Sequence, residues 1–193
     1  MKSELENIKN AAEGLLQSLQ LLLDLKLPKP RHIPESFFEI WVANELIEND
    51  FEPSFKKDSK EYDILLSNGL KIEVKGSKKH YDEDNKLPWW GYSFRKGDQV
   101  RNKKFNFCIL VRANDDGMPQ DYFILDIDEF KIDENFIKRE DDEGEKKYFI
   151  ELSDSYADYA KIMKKWEWEK TALEEDIHND PKKFKNVWKK IRK

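Results

Sequence analysis

The sequence is most informative at residues 62–75, which read YDILLSNGLKIEVK (Tyr62–Lys75). Two short runs rich in aliphatic residues flank an Asn-Gly turn, a pattern typical of a β-hairpin. A two-residue loop would mix polar and apolar side chains on both faces of the hairpin. A three-residue loop, residues 67–69, sorts them, because one face then carries the pairs Leu66/Leu70, Ile64/Ile72 and Tyr62/Val74. We therefore predict the three-residue loop.

The other face of this hairpin concentrates charge. It carries the pairs Leu65/Lys71, Asp63/Glu73 and Glu61/Lys75. Opposed Cβ atoms in such a pair lie roughly 5 Å apart, so Asp63 and Glu73 would repel each other unless a cation lay between them. A hard divalent ion such as Mg²⁺ prefers carboxylate oxygens and water. The alternative is a solvated surface hairpin on which Lys75 neutralises Glu61 or Glu73.

These residues resemble the active-site signature of the PD-(D/E)xK nuclease superfamily. The signature is Asp63, nine further residues, and then Glu73-Val74-Lys75, with Tyr62 where the family name has proline. Upstream, the stretch EIWVANEL (residues 39–46) followed by Asp50-Phe51 is similar to the family's first helix. The resemblance spans about residues 35–111, and the helix that the family places between its third and fourth strands is hardly visible in residues 93–104.

The resemblance implies both a fold and a catalytic centre. The fold would be of the α/β (α+β) class, with a central mixed β-sheet flanked by helices, as in restriction endonucleases, plus extra N- and C-terminal helices. Asp63, Glu73 and Glu39 would bind Mg²⁺, or Mn²⁺ as a substitute, and Lys75 would orient or activate the attacking water. Glu39 also fits a capping box with Ser36, and Glu35 and Glu45 are substitutes for its metal role.

The resemblance also implies an activity. The chain would be a Mg²⁺-dependent endonuclease that cuts double-stranded DNA, most like a small type II restriction enzyme, acting as a homodimer because two strands need two active sites. A repair, junction-resolving or modification-dependent nuclease is the alternative within this class. A non-catalytic DNA-binding module on the same fold is the alternative outside it.

A basic segment follows the predicted catalytic strand. Residues 75–104 contain nine Lys or Arg and four Asp or Glu, although the whole chain carries a net charge of -5. Basic side chains suit phosphates, and amide side chains hydrogen-bond to bases. We therefore predict DNA contacts from Lys78, Lys79, Arg95, Lys96, Gln99, Arg101, Lys103 and Lys104. Trp89 and Trp90 are either core or dimer anchors or base readers.

The rest of the chain predicts one domain in three parts. Residues 1–30 contain an N-terminal helix whose apolar stripe packs on the domain or on a second copy, residues 34–127 form the catalytic core, and residues 128–193 form a hairpin and C-terminal helices. Within the core, the helix at residues 34–49 should present Phe37, Ile40, Ala43 and Ile47 on one side, and the strands that follow should form one mixed sheet. The basic C-terminal helix shows its lysines to DNA or to water.

Composition excludes several other classes of protein. A length of 193 residues suits a single domain, and no apolar run is long enough to span a bilayer, so we expect a cytoplasmic protein without a membrane partner. One cysteine and three scattered histidines argue against a disulfide framework or a zinc site, and Cys108 lies in an apolar strand as a buried thiol. Neither a Gly-rich phosphate loop nor a G-x-S-x-G motif is present.

Overall fold

The computed structural model describes residues 2–24, 35–55, 61–82, 86–94, 104–127, 137–140 and 146–153, together with Lys185, Trp188 and Ile191. The predicted helices at residues 157–176 and 181–192 therefore lie almost wholly outside the described residues. None of the helices in the described part is long and apolar enough to cross a bilayer.

Two helices pack against one another and against the sheet. Helix α1 covers Lys2–Asp24 and helix α2 covers Glu35–Glu48. Apolar residues three or four positions apart give α1 a stripe, and its members Ile8 and Ala12 are buried. Ile8 joins the apolar cluster that α2 forms with the sheet, so this stripe packs on the domain itself.

Helix α2 buries more of its surface than predicted. Its buried residues are Phe37, Phe38, Val42, Ala43 and Leu46. The prediction of which residues this helix turns inward is wrong in part, because two of them, Ile40 and Ile47, are only half-buried. The helix lies between α1 and the sheet and contacts both, so a single apolar stripe is not enough to fill its surroundings.

Nine strands form two sheets in the described part of the chain. The five-stranded sheet has the order β1-β2-β3-β6-β7 and comprises β1 (Pro53–Phe55), β2 (Ile64–Leu66), β3 (Lys71–Ser77), β6 (Phe107–Ala113) and β7 (Pro119–Asp126). Strands β3 and β6 are parallel and the other neighbours are antiparallel, so this sheet is mixed. The predicted central mixed sheet flanked by helices is confirmed.

The second sheet was not predicted, and the expectation of one sheet is wrong. It has the order β4-β5-β9-β8, with antiparallel neighbours, and comprises β4 (His80–Tyr81), β5 (Pro88–Phe94), β8 (Ile137–Glu140) and β9 (Lys146–Ser153). Part of the basic segment therefore folds as β4 and β5. Trp90 of β5 is fully buried, which makes it a core anchor, whereas Trp89 is half-buried and stacks on His80.

The five-stranded sheet has an apolar cluster on each face. One, the helix-side core, contains α2 residues with Ile64, Ile72, Val74, Ile109 and Ile124, and it also includes Trp188 and Ile191 from the C-terminal segment. The other, the inter-sheet core, contains Tyr62, Trp90, Tyr92, Phe94, Cys108, Leu110, Phe123, Ile150 and Leu152. Because alternate residues of a strand point to opposite faces, Glu73 and Lys75 share the inter-sheet face with their β6 partners Cys108 and Leu110.

The hairpin register agrees with the prediction near the turn. Ile64 pairs with Ile72 and Leu65 pairs with Lys71, and the Leu66 amide donates to the Leu70 carbonyl at 2.9 Å. Gly69 has φ 86°, a left-handed backbone conformation that closes a three-residue loop and that residues with a Cβ rarely adopt. The predicted loop is confirmed.

The register fails before Ile64. The Asp63 amide donates to the Ile72 carbonyl at 3.0 Å, and the Asp63 carboxylate accepts the Val74 amide at 2.7 Å. This side chain takes a β3 amide that a longer β2 would have used, so the strand ends. The predicted strand pairs Asp63/Glu73 and Tyr62/Val74 are therefore wrong, and Tyr62 lies in the inter-sheet core instead.

The position of α2 depends on a glycine in β3. A Cβ at Gly76 would overlap the ring of Phe38, so the first turns of α2 lie directly over the C-terminal end of β3. We predict that Gly76→Ala lowers the free energy of unfolding by about 1–3 kcal/mol through overpacking. Urea denaturation checks this. The matched control is Gly14→Ala on α1, where a Cβ would meet nothing within 4 Å and helix propensity should raise stability. Equal effects at the two sites would contradict the packing argument.

Candidate active site

Three of the predicted site residues come together beside the C-terminal half of β3. Glu73 and Lys75 project from β3 itself, and Asp63 is held over the same strand by its bond to the Val74 amide. Lys75 Nζ lies 2.7 Å from Glu73 Oε1. The Glu73 side chain is only 3% exposed and that of Lys75 is 22% exposed, so the ion pair is buried at the carboxylate and reaches solvent at the lysine.

This pairing corrects two predictions about charge. Lys75 pairs with Glu73, and Glu61 pairs with Lys104 at 2.8 Å, so Glu61 and Lys75 are not partners. The alternative of a fully solvated polar face is wrong as well, because Glu73 is buried beside the inter-sheet core.

Glu39 approaches the same centre from α2. It is half-buried. Burial and the negative charges of Asp63 and Glu35 raise its pKa, and the positive charge of Lys75 offsets only part of this rise. The capping-box alternative is wrong, because α2 begins at Glu35 and Ser36 lies inside the helix. Glu45 lies six residues further along α2, and burial raises its pKa without a contribution from Asp63, Glu73 or Lys75.

Two carboxyl groups, those of Asp63 and Glu73, lie beside the single ammonium group of Lys75, so negative charge exceeds positive charge when both carboxyls are ionised. Burial raises the pKa of Glu73 to about 7, Asp63 adds to the rise, and Lys75 opposes it. Burial also raises the pKa of Asp63, while the Val74 amide, Lys75 and a hydrogen bond with Glu73 lower it. Burial would lower the pKa of Lys75, but the Glu73 carboxylate outweighs it and the pKa is raised. Lys75 therefore remains a cation at neutral pH.

The arrangement fits a metal ion bound through two carboxylates. In the described part of the chain no group of three or more His, Cys, Asp or Glu side chains is arranged to hold a metal. Mg²⁺ needs fewer protein ligands, because it commonly uses one or two carboxylates and completes its shell with water and substrate oxygens. Asp63 and Glu73 offer such a pair, and a bound cation would favour the ionised form of Glu73, which burial disfavours. A metal role for Glu39 stays a prediction.

The predicted DNA contacts are only partly visible. Lys78 and Lys79 directly follow β3, and Lys104 precedes β6. Arg95, Lys96, Gln99, Arg101 and Lys103 lie outside the described residues. Lys78 and Lys79 thus follow the strand that carries Glu73 and Lys75, whereas Lys104 lies near the opposite end of that strand, before its parallel neighbour β6.

A buried ion pair near the site was missed by the sequence reasoning. The Arg112 guanidinium donates two hydrogen bonds of 2.6 Å to Asp121, and Lys185 Nζ lies 2.7 Å from Asp121. Arg112 also lies 4.5 Å from the centroid of the Trp90 ring. The available signal was a charge in each of two apolar strands, at Arg112 in β6 and at Asp121 in β7.

Similarity to known proteins is found among solved structures. Neither a protein-family model nor a curated protein matches the chain. Among solved structures, the bacterial homing endonuclease I-Ssp6803I matches over 69% of this chain and 93% of its own, with a TM-score of 0.40 and 12% sequence identity. At that TM-score and identity, the match assigns no activity to the present chain.

The Arg112–Asp121 pair generates a prediction about stability. Asp121→Ala leaves Arg112 buried without its carboxylate, so we expect the free energy of unfolding to fall by about 3–5 kcal/mol. Urea denaturation measures the change. Glu48→Gln removes one partner of the exposed Lys9–Glu48 pair and should change stability by less than about 1 kcal/mol. Similar losses in both variants would contradict a special role for the buried pair.

The Glu73 carboxyl generates a prediction about pH. Its pKa is about 7 in the folded chain and 4.5 in the reference state, so the folded protein binds the extra proton between these values. Stability from Glu73 is therefore present below about pH 4.5 and is lost as the pH rises to 7. In metal-free buffer, the Tm difference between Glu73→Gln and the wild type should grow in favour of the variant over this window. A difference that does not vary with pH would refute the raised pKa.

Proposed function

We propose that this protein is a Mg²⁺-dependent endonuclease that hydrolyses double-stranded DNA, with a PD-(D/E)xK active site. The observation that carries the proposal is the Glu73–Lys75 ion pair on β3 with the Asp63 carboxylate bound to the adjacent amide. The strands that carry these residues belong to a mixed sheet covered by helix α2, and Glu39 enters from that helix.

The side chains have distinct roles in this proposal. Asp63 and Glu73 hold the ion, with Glu39 as an additional carboxylate reaching it directly or through water. The bound ion supplies positive charge that polarises the scissile phosphate and lowers the pKa of water. Lys75 donates hydrogen bonds from a partly exposed ammonium group, which orients the water beside the phosphate. Its bond to Glu73 fixes the ammonium in place before substrate arrives.

The substrate and assembly follow from chemistry and from the resemblance. Lys78 and Lys79 lie immediately after β3, where their positive charges suit backbone phosphates of the bound DNA. Cutting both strands needs two active sites, so we propose a homodimer. Site-specific cleavage, as by a type II restriction enzyme, is the form of activity we propose.

A plasmid assay tests this function. Supercoiled plasmid and bacteriophage genomic DNA are incubated with the protein in Mg²⁺ or in EDTA. We expect discrete fragments only with Mg²⁺, and a fall in rate of at least about 100-fold in Lys75→Ala and Asp63→Asn. Asparagine keeps an acceptor for the Val74 amide, so Asp63→Asn removes charge without removing that hydrogen bond. Lys9→Ala, on the surface of α1, is the matched control and should cleave normally.

The products separate the remaining alternatives. Nicking or smearing that needs Mg²⁺ and Lys75 would favour a repair or structure-selective nuclease. Cleavage only of branched or modified DNA would favour a junction-resolving or modification-dependent enzyme. DNA binding without cleavage of any of these substrates would favour the non-catalytic DNA-binding module and would overturn the proposed chemistry.

A further inference from the structure

A second cluster of polar side chains lies beyond the end of β3. Lys79 and Tyr81 come from the segment that runs from β3 into β4, and Asp115 comes from the turn between β6 and β7. The Tyr81 hydroxyl donates to Asp115 Oδ1 at 2.7 Å, and Lys79 Nζ lies 3.8 Å from Asp115 Oδ2. One carboxylate therefore faces a hydroxyl donor and an ammonium group together.

The lysine of this cluster is held by aromatic rings. Lys79 Nζ lies 5.4 Å from the centroid of the Tyr81 ring and 5.8 Å from that of Trp90. Its side chain is only 20% exposed. Trp90 is fully buried in the inter-sheet core, so the lysine rests on a rigid surface and its position does not depend on Asp115 alone.

The carboxylate of this cluster lies at the surface of the turn between β6 and β7, and another side chain makes hydrogen bonds that close this turn. Asp115 has a 59% exposed side chain. The turn is closed by the Asn114 side chain, which accepts the Asp116 amide at 2.9 Å and the Met118 amide at 3.0 Å. The hydrogen bonds of the Asn114 side chain thus hold the turn in addition to the contacts of the Asp115 carboxylate with Tyr81 and Lys79.

The cluster lies beyond the C-terminal end of the strand that carries Glu73 and Lys75. Lys79 is four residues after Lys75, a distance of roughly 13 Å along an extended chain. Its contact with Trp90, a member of the inter-sheet core, places it on the sheet face that carries Glu73 and Lys75. At 3.4 Å of axial rise per nucleotide, the two lysines are separated by the length of about four nucleotides.

We propose that Lys79 and Tyr81 form a binding site for a backbone phosphate of duplex DNA, and that the Asp115 carboxylate occupies this site in the free protein. This inference rests on the proposed function and adds a phosphate contact a few nucleotides from the cleaved bond. A phosphodiester oxygen carries negative charge and accepts hydrogen bonds, so it replaces the carboxylate at both donors. Asp115 thereby competes with DNA for Lys79.

Binding measurements without cleavage test the proposal. Anisotropy of a labelled duplex is titrated with protein in EDTA and in Ca²⁺ over a series of salt concentrations. Asp115→Asn should tighten binding about two- to fivefold, the range of an exposed ion pair. The control is Glu48→Gln. It also removes one negative charge, from the exposed ion pair between Glu48 of α2 and Lys9 of α1, and it should leave the affinity nearly unchanged. Thermal melting verifies that each variant is folded.

Variants of the donors complete the test. Lys79→Ala should weaken binding and lower the slope of log affinity against log salt by about one, and Asp115→Asn should have no further effect in that background. Tyr81→Phe, made on Asp115→Asn, should weaken binding about two- to fivefold. Absence of duplex binding, equal effects of Asp115→Asn and Glu48→Gln, or an unchanged salt slope in Lys79→Ala would overturn the proposal.

These outcomes are distinguishable from failure of the proposed function. Binding that follows the predicted pattern without cleavage would keep the phosphate site and reject the nuclease. If the protein cleaves DNA in Mg²⁺ but substitutions at Lys79, Tyr81 and Asp115 leave its duplex affinity unchanged, the nuclease proposal stands and this phosphate site is rejected.

Discussion

The buried carboxylate of Glu73 is the constraint on which the candidate site depends. It lies on a central strand, next to Cys108 of the parallel neighbour, and faces an apolar core between two sheets. Burial of an ionised carboxylate is unfavourable unless it has a partner, and Lys75 at 2.7 Å is that partner. Asp63 brings a second carboxylate to the same place, so the pair of acids exceeds the charge of the lysine. Burial, with a smaller contribution from the Asp63 charge, raises the pKa of Glu73 to about 7, and a divalent cation would favour the ionised form of both carboxyls.

The layers of the fold place this centre at a sheet surface that is only partly covered. On the helix side, α2 packs tightly enough that Gly76 has no room for a Cβ beneath Phe38. On the other side, the second sheet buries Trp90 and Tyr92 against β6 and β7. Strand β2 begins only at Ile64, because the Asp63 side chain takes the Val74 amide. The Lys75 side chain is partly exposed, so the ion pair is reachable from solvent at its lysine end.

The sequence predicted the turn and the helix-flanked mixed sheet because these depend on local rules. Asn68 and Gly69 specify the turn, and the alternation around Ile64 and Ile72 specifies the register. The end of β2 depends on one side chain competing with a backbone carbonyl, which alternation does not reveal. The second sheet pairs β5 with β9, about 60 residues later in the chain, and no local pattern encodes that pairing. The buried Arg112–Asp121 contact likewise requires the β6–β7 register to be known.

The net charge of -5 does not show which lysines are already paired with carboxylates, whereas the contacts of individual side chains do. Near the candidate site several lysines already have carboxylate partners in the free protein: Lys75 has Glu73, Lys104 has Glu61, and Lys79 faces Asp115. The first pair is buried at its carboxylate and belongs to the candidate active site. The other two are exposed at their carboxylates, and exposed pairs are weak and screened by salt. Under the proposed function, closely spaced duplex phosphates would compete with the exposed carboxylates for Lys104 and Lys79, whereas the buried Glu73 carboxylate would keep Lys75.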